Sequence, residues 1–219
     1  MLVGLLTAVV DGCSGYDSHR ADTATLPALV IPTTAAASRV MMIGDSITDE
    51  SRAQLVQAIP GLAIDALAGR TVGHHWLSDT ALEHLPDLTA ATRPDWWVVA
   101  LGTNDGNFAR HPLDEMRSDI AALLDGLGRD SCVLWVLPFV VEPAEPLGIE
   151  RTNDFALIAA DEVSRLSCHA TLQWSESVLT TPGLIGPDGV HPTTAGRQRF
   201  AMAISTALVA AREAATVGG

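Results

Sequence analysis

Five short apolar runs punctuate the chain: Val40 to Ile43, Leu62 to Ala66, Trp96 to Leu101, Val133 to Leu137 and Ala170 to Gln173. Three of them lack polar–apolar alternation, the pattern of strands buried on both faces of a parallel sheet. Amphipathic stretches separate the runs. Glu50 to Ile59 stops at Pro60-Gly61, and Leu113 to Leu127 carries Leu113, Met116, Ile120, Leu123, Leu124 and Leu127 at helical spacing before Gly128. Asn153 to Leu166 and the alanine-rich Thr193 to Glu213 follow. Strands that alternate with helices imply a parallel sheet with helices on both faces, and right-handed crossovers leave few topologies. The expected class is therefore α/β with five parallel strands.

The 219 residues suffice for one domain with a sizeable core, and 47% hydrophobic content marks a globular chain. The folded domain is expected over residues 39–219, without internal repeat. Residues 14–38 hold Asp, Ser, Thr, Pro and Ala without periodicity and read as a flexible arm or linker. A net charge of -13 argues against a nucleic-acid partner and against docking to anionic lipid by charge.

All thirteen basic residues are arginine. The absence of lysine excludes a Schiff-base lysine, a pyridoxal-phosphate anchor and a P-loop lysine. No Gly-x-Gly-x-x-Gly follows a strand, so the dinucleotide fingerprint is missing as well. No cofactor and no metal is expected. His74-His75 invites a metal, but adjacent side chains point in different directions and no neighbouring carboxylate or cysteine completes a motif. The pair reads as a loop near the mouth of a site. Trp96-Trp97 opens a strand and reads as packing rather than as a sugar platform.

The cysteines differ by position. Cys13 follows the apolar stretch Leu2 to Val10, so residues 1–13 resemble a bacterial lipoprotein signal in which that cysteine is lipidated. No basic residue precedes Leu2, and Asp11 is unusual there; a plain frayed N-terminus is the other reading. The first reading implies export to the cell envelope and a membrane tether through Cys13. Cys132 and Cys168 each stand at the start of a predicted strand. If those strands are parallel neighbours, both sulfurs lie at one end of the sheet. A Cys132–Cys168 disulfide is expected in an exported protein, with two small buried thiols as the alternative.

In open parallel sheets, sites form beyond the carboxyl ends of strands. Gly44-Asp45-Ser46 directly follows the first run, and Leu101-Gly102-Thr103-Asn104-Asp105 follows the third. Asp188 and His191 stand three residues apart in Gly186-Pro187-Asp188-Gly189-Val190-His191-Pro192, before the last helix. A serine, a histidine to deprotonate it, an acid to orient the histidine and an amide to bind an oxyanion are what acyl transfer through a serine ester requires. Taken singly, Ser46 reads as a helix cap, Asn104 and Asp188 as turn residues and His191 as a loop histidine.

Three blocks in order make the resemblance specific. Gly44-Asp45-Ser46-Ile47-Thr48, Gly102-Thr103-Asn104-Asp105 and Asp188-Gly189-Val190-His191-Pro192 resemble the nucleophile, asparagine and acid–base blocks of the SGNH hydrolase superfamily, the GDSL-like esterases and lipases. The resemblance covers roughly Arg39 to the end. At the family's glycine block stands Asp65-Ala66-Leu67-Ala68-Gly69-Arg70, with Gly69 as candidate and Gly73 second; alanines replace the asparagine many members carry there. Asp49-Glu50 likewise replaces a frequent glycine.

The resemblance implies a flavodoxin-like three-layer sandwich and a catalytic set of Ser46, His191 and Asp188. The backbone N–H groups of Ser46 and Gly69 and the Asn104 amide would form the oxyanion hole. Arg70, His74 and Phe108 are expected to line the substrate, and Asp105 to orient its loop. The implied activity is hydrolysis of small acyl esters through an acyl-serine, acting on small molecules or on envelope glycans or lipids. An acyltransferase to a sugar hydroxyl, an inactive envelope scaffold, and a peptidase or thioesterase are the alternatives.

Overall fold

Each of the five apolar runs is a strand in the computed structural model, which describes residues 39–75, 79–108, 111–128, 131–144 and 146–217. The expected signal segment with Cys13 and the arm at 14–38 lie outside the described residues. In chain order the elements are β1 (Val40–Gly44), α1 (Ser46–Glu50), α2 (Arg52–Ala58), β2 (Leu62–Ala66), α3 (Ala81–Ala91), β3 (Trp96–Ala100), α4 (Thr103–Asn107) and α5 (Leu113–Gly126). They continue with β4 (Cys132–Leu137), α6 (Pro146–Val163), β5 (His169–Gln173), α7 (Trp174–Thr180) and α8 (Thr194–Val217). The strands form one all-parallel sheet in the order β2-β1-β3-β4-β5.

Burial follows from position in the sheet. β1 and β3 are buried at every residue, whereas the edge strand β5 alternates between exposed and half-buried. Successive side chains point to opposite faces. Met42, Val98, Leu134 and Val136 pack with Leu55 of α2, Trp174 of α7 and Phe200, Ile204 and Leu208 of α8. Met41, Ile43, Trp97, Val99 and Trp135 pack with Leu85 of α3, Met116, Ile120 and Leu123 of α5 and Phe155 of α6. Two apolar layers thus sandwich the sheet. Trp96 and Trp97 are both buried, and Trp97 Nε1 donates to the Leu127 carbonyl at 3.0 Å.

The helices depart from the sequence pattern in four places. The helix expected from Glu50 is two helices, α1 and α2, meeting at Ser51. α6 begins at Pro146 rather than Asn153. The short α4 and α7 carry too few turns to show periodicity. α3 was masked by its internal Pro86, which removes a backbone donor. Its start nevertheless carries a capping box: Thr80 N donates to Glu83 Oε2 at 2.9 Å, and Glu83 N donates to Thr80 Oγ1 at 3.3 Å.

Val133 pairs with His169 in the β4–β5 ladder, which sets Cys132 and Cys168 side by side. They are joined as a disulfide with Cα atoms 4.8 Å apart and a sequence separation of 36. Closing a loop of that length stabilises by about 4 kcal/mol in the chain-entropy description. The Cys132→Ala/Cys168→Ala double variant is therefore expected to unfold at clearly lower urea concentration than the oxidised wild type. Equal midpoints would show that the bridge contributes nothing.

Candidate active site

Gly44 pairs with Ala66 on one side and with Ala100 on the other, so β1, β2 and β3 end level. From β1 the chain crosses to β2 and later returns to β3 on the opposite side. The crevice at this reversal is where doubly wound sheets bind ligands. Ser46, Gly69 and Asn104 each follow within a few residues of these strand ends.

Local chemistry fixes each residue. Ser46 is the first residue of α1, whose N-cap Asp45 accepts from Ile47 N at 3.0 Å through Oδ1. Backbone N–H groups in a first helical turn have no intrahelical acceptor and remain available. After β2, Leu67 N donates to the Gly44 carbonyl at 3.2 Å and Arg70 N donates to the Leu67 carbonyl at 3.2 Å. Gly69 occupies the third place of that turn at φ 78°, a left-handed conformation that favours glycine. Asn104 is 6% exposed, and its Nδ2 donates to the Arg70 carbonyl at 2.9 Å, tying α4 to the turn. Asp105 Oδ1 accepts from Val72 N at 3.0 Å, holding the same loop from behind.

The histidine arrives from the loop before α8. His191 Nε2 lies 2.9 Å from Ser46 Oγ, and His191 Nδ1 lies 2.7 Å from Asp188 Oδ2. The other oxygen, Asp188 Oδ1, accepts from Val190 N and His191 N, each at 3.0 Å. With that carboxylate at Nδ1, the ring proton sits on Nδ1 and Nε2 is the acceptor for the serine hydroxyl. The loop is clamped by the Ile185–Pro192 bridge and by Val141 N donating to the Gly189 carbonyl at 2.8 Å. Gly189 is packed so tightly that a Cβ there would fall 2.1 Å from the Val141 oxygen.

Other expected lining residues fare differently. Arg70 is a correction: its side chain is 0% exposed, and Nη1 donates to Asp65 Oδ2 at 2.8 Å and to the Asp65 carbonyl at 3.1 Å. It braces the glycine turn from within rather than facing substrate. His74 is half-buried and stacks on His111 with ring centroids 4.5 Å apart. Phe108 follows α4 and is 42% exposed. A small cavity beneath the site is lined by Asp45, Ile47, Leu101, Val136, Phe139 and Trp174, among others. Neither Ser46 nor His191 lines it.

The GDSL-like Lipase/Acylhydrolase family matches the chain over residues 42–199. The chain belongs to this family. Among curated proteins it is similar to Esterase TesA of Pseudomonas aeruginosa, 28% identical over 176 residues that cover 76% of this chain and 85% of that one. Among solved structures it resembles the C-terminal catalytic domain of peptidoglycan O-acetyltransferase A from Streptococcus pneumoniae. That match has a TM-score of 0.68 at 22% identity and covers 81% of this chain and 96% of that domain. A carbohydrate acetylesterase from Sinorhizobium meliloti aligns with a TM-score of 0.60 at 19% identity, over 78% and 99% of the two chains. These likenesses show the SGNH hydrolase fold.

Two carboxyls of this hydrolase depart from ordinary behaviour in opposite directions. Burial pushes Asp188 up, but donors at Val190 N, the His191 ring and His191 N together hold it below the usual carboxylate range. Sequence reading assigned no role to the Asp45 carboxyl. Its pKa is raised to about 7, mainly by complete burial, with the Ile47 N–H and the His191 ring pulling it back only in part. A carboxyl that holds its proton more tightly when folded stabilises the fold at acid pH. That contribution is lost as pH rises from about 4 to about 7. Asp45→Asn keeps an acceptor for Ile47 N and removes the charge. Its stability relative to wild type is expected to rise by up to about 4 kcal/mol between pH 4 and pH 8, measured by urea unfolding at both values. A difference independent of pH would contradict the assignment.

Proposed function

We propose that the protein is a serine esterase that hydrolyses small acyl esters through an acyl-Ser46 intermediate. The observation that carries this reading is the continuous hydrogen-bonded line from Ser46 Oγ through the His191 ring to Asp188. His191 Nε2 takes the hydroxyl proton as Ser46 Oγ attacks the ester carbonyl carbon. Asp188 remains ionised, holds the tautomer and stabilises the imidazolium. The N–H groups of Ser46 and Gly69 receive the oxyanion, together with the second N–H of the Asn104 amide, whose first is spent on Arg70. Collapse expels the alkoxide, which collects the proton from His191. Water then attacks the acyl-serine with His191 again as base, releasing the acid.

The substrate class is argued by likeness. The Sinorhizobium meliloti neighbour is a carbohydrate acetylesterase, and another neighbour is an acetylxylan esterase from Geobacillus stearothermophilus with a TM-score of 0.63 at 18% identity. O-acetyl groups on glycans are accordingly the proposed ester. The Cys132–Cys168 disulfide supports export to an oxidising compartment. No helix among the described residues is long and apolar enough to cross a membrane. The proposed membrane tether is a lipid on Cys13, for which the lipoprotein-like segment before it is the support. Transfer of the acyl group to a sugar hydroxyl is the second reading, favoured by the likeness to the O-acetyltransferase domain.

A fluorophosphonate probe is expected to label the wild type and not Ser46→Ala, and turnover of p-nitrophenyl acetate should fall at least about 10⁴-fold in that variant. Labelling that persists without Ser46 would refute the nucleophile. Asn104→Ala should lower kcat by about 10²- to 10³-fold with KM little changed. Product analysis in the presence of excess glycan acceptor separates the two readings. Free acetate alone supports the hydrolase, and acetylated acceptor supports the transferase.

A further inference from the structure

Beyond the glycine turn, the chain brings together side chains that the ester chemistry leaves unused. His111, just before α5, is 1% exposed. Its Nε2 lies 3.6 Å from Glu115 Oε2 and 3.4 Å from Asp119 Oδ2. His74 stacks on the same ring, and His74, His111 and Glu115 each offer a ligand atom, all within 4.8 Å of one another. The Asp119 carboxyl packs against Gly73, which precedes His74.

These spacings are informative. Separations of 3.4 and 3.6 Å exceed an N–H···O hydrogen bond. They match the edge of a tetrahedron whose ligands stand about 2.0 to 2.1 Å from a zinc ion, an edge of roughly 3.4 Å. A second observation lies on the other side of the ring. His111 Nδ1 faces Asp105 Oδ1 at 3.7 Å, and both His111 Nδ1 and Asp105 Oδ2 are buried without a hydrogen-bond partner among the described residues. At 3.7 Å the Asp105 carboxylate is beyond hydrogen-bond reach of the ring, but it faces the nitrogen turned away from the cluster, the position from which a carboxylate orients a metal-binding histidine once the N–H donates to it. Glu115 is the solvent-facing member, with its side chain 59% exposed, and offers the entry path.

We propose that His74, His111 and Glu115, with Asp119 beside His111, form a binding site for a divalent zinc-like cation. Two imidazoles and a carboxylate, with an open fourth position, suit a borderline ion better than calcium or magnesium, which take oxygen ligands. The ion would cross-link the loop after the glycine turn to α5. Through Asp105, which also accepts from Val72 N, it would stiffen the segments that carry Gly69 and Asn104. The site stands on its own residues and not on the ester reading.

The test uses the full chain, stripped with a chelator and dialysed against zinc, with metal content read by atomic emission. Cobalt(II) substitution reports geometry through its visible absorption. The expected result is one zinc per chain and a four-coordinate cobalt spectrum. His74→Gln and Glu115→Gln, at a half-buried and an exposed position, should each weaken zinc binding at least about tenfold, while Ser46→Ala retains it. Failure to bind zinc stoichiometrically would overturn the proposal. Binding unchanged in both variants would also overturn it, because the ion would then sit elsewhere on the chain. Since metal content is the readout, an inactive esterase would leave the result interpretable.

Discussion

The parallel ladder that makes β1, β2 and β3 finish level carries the rest of the structure. Backbone hydrogen bonds set Gly44 opposite Ala66 and Ala100, and the loops leaving those residues have no choice but to share one rim. Reaching that rim from three strands costs little chain, so short turns and single helical turns suffice. The fourth contribution is different in kind. His191 comes from a loop far along the chain and is held by its own clamp, the Ile185–Pro192 bridge and the Val141–Gly189 hydrogen bond. A rigid sheet edge supplies one side of the site, and a pinned loop supplies the other.

Beneath this rim lies a layer of buried polar groups. Arg70 has no exposed surface and is paired with Asp65. Asn104 and Asp105 are buried and bond to the backbone of Arg70 and Val72. Losing one member of such a pair leaves an uncompensated charge and costs about 3 to 5 kcal/mol, whereas the pair itself adds little net stability. The value of the layer lies in geometry. The Asn104 bond fixes the Arg70 carbonyl within the turn that carries Gly69, and the Asp65 and Val72 contacts hold the chain on either side of that turn.

Much of this was legible in the residue order, and the physical reason is locality. Apolar runs without alternation reported strands buried on both faces, and the structure places β1, β3 and β4 at those runs. Ser46 and Asn104 were readable as strand-end residues because strand and residue are adjacent in sequence. What stayed hidden depends on distance or on a local exception. Pro86 obscured α3 although Thr80 and Glu83 signalled its start. Arg70 looked like a pocket residue because nothing in the sequence shows that its guanidinium turns inward to Asp65. His74 and His111 meet only through packing of α5 on the sheet, and no short motif records a meeting across that span.

The Cys132–Cys168 bond sits at the amino ends of β4 and β5, the end of the sheet remote from Ser46. β5 is an outermost strand, paired on one side only among the described residues, and such edges are where a sheet can add another strand. A covalent staple at Cys168, the residue just before this border strand, holds its start against β4 and so keeps it from peeling away. The staple and the reactive rim thus occupy opposite ends of the same sheet, so the border is secured without any constraint on the groups around Ser46.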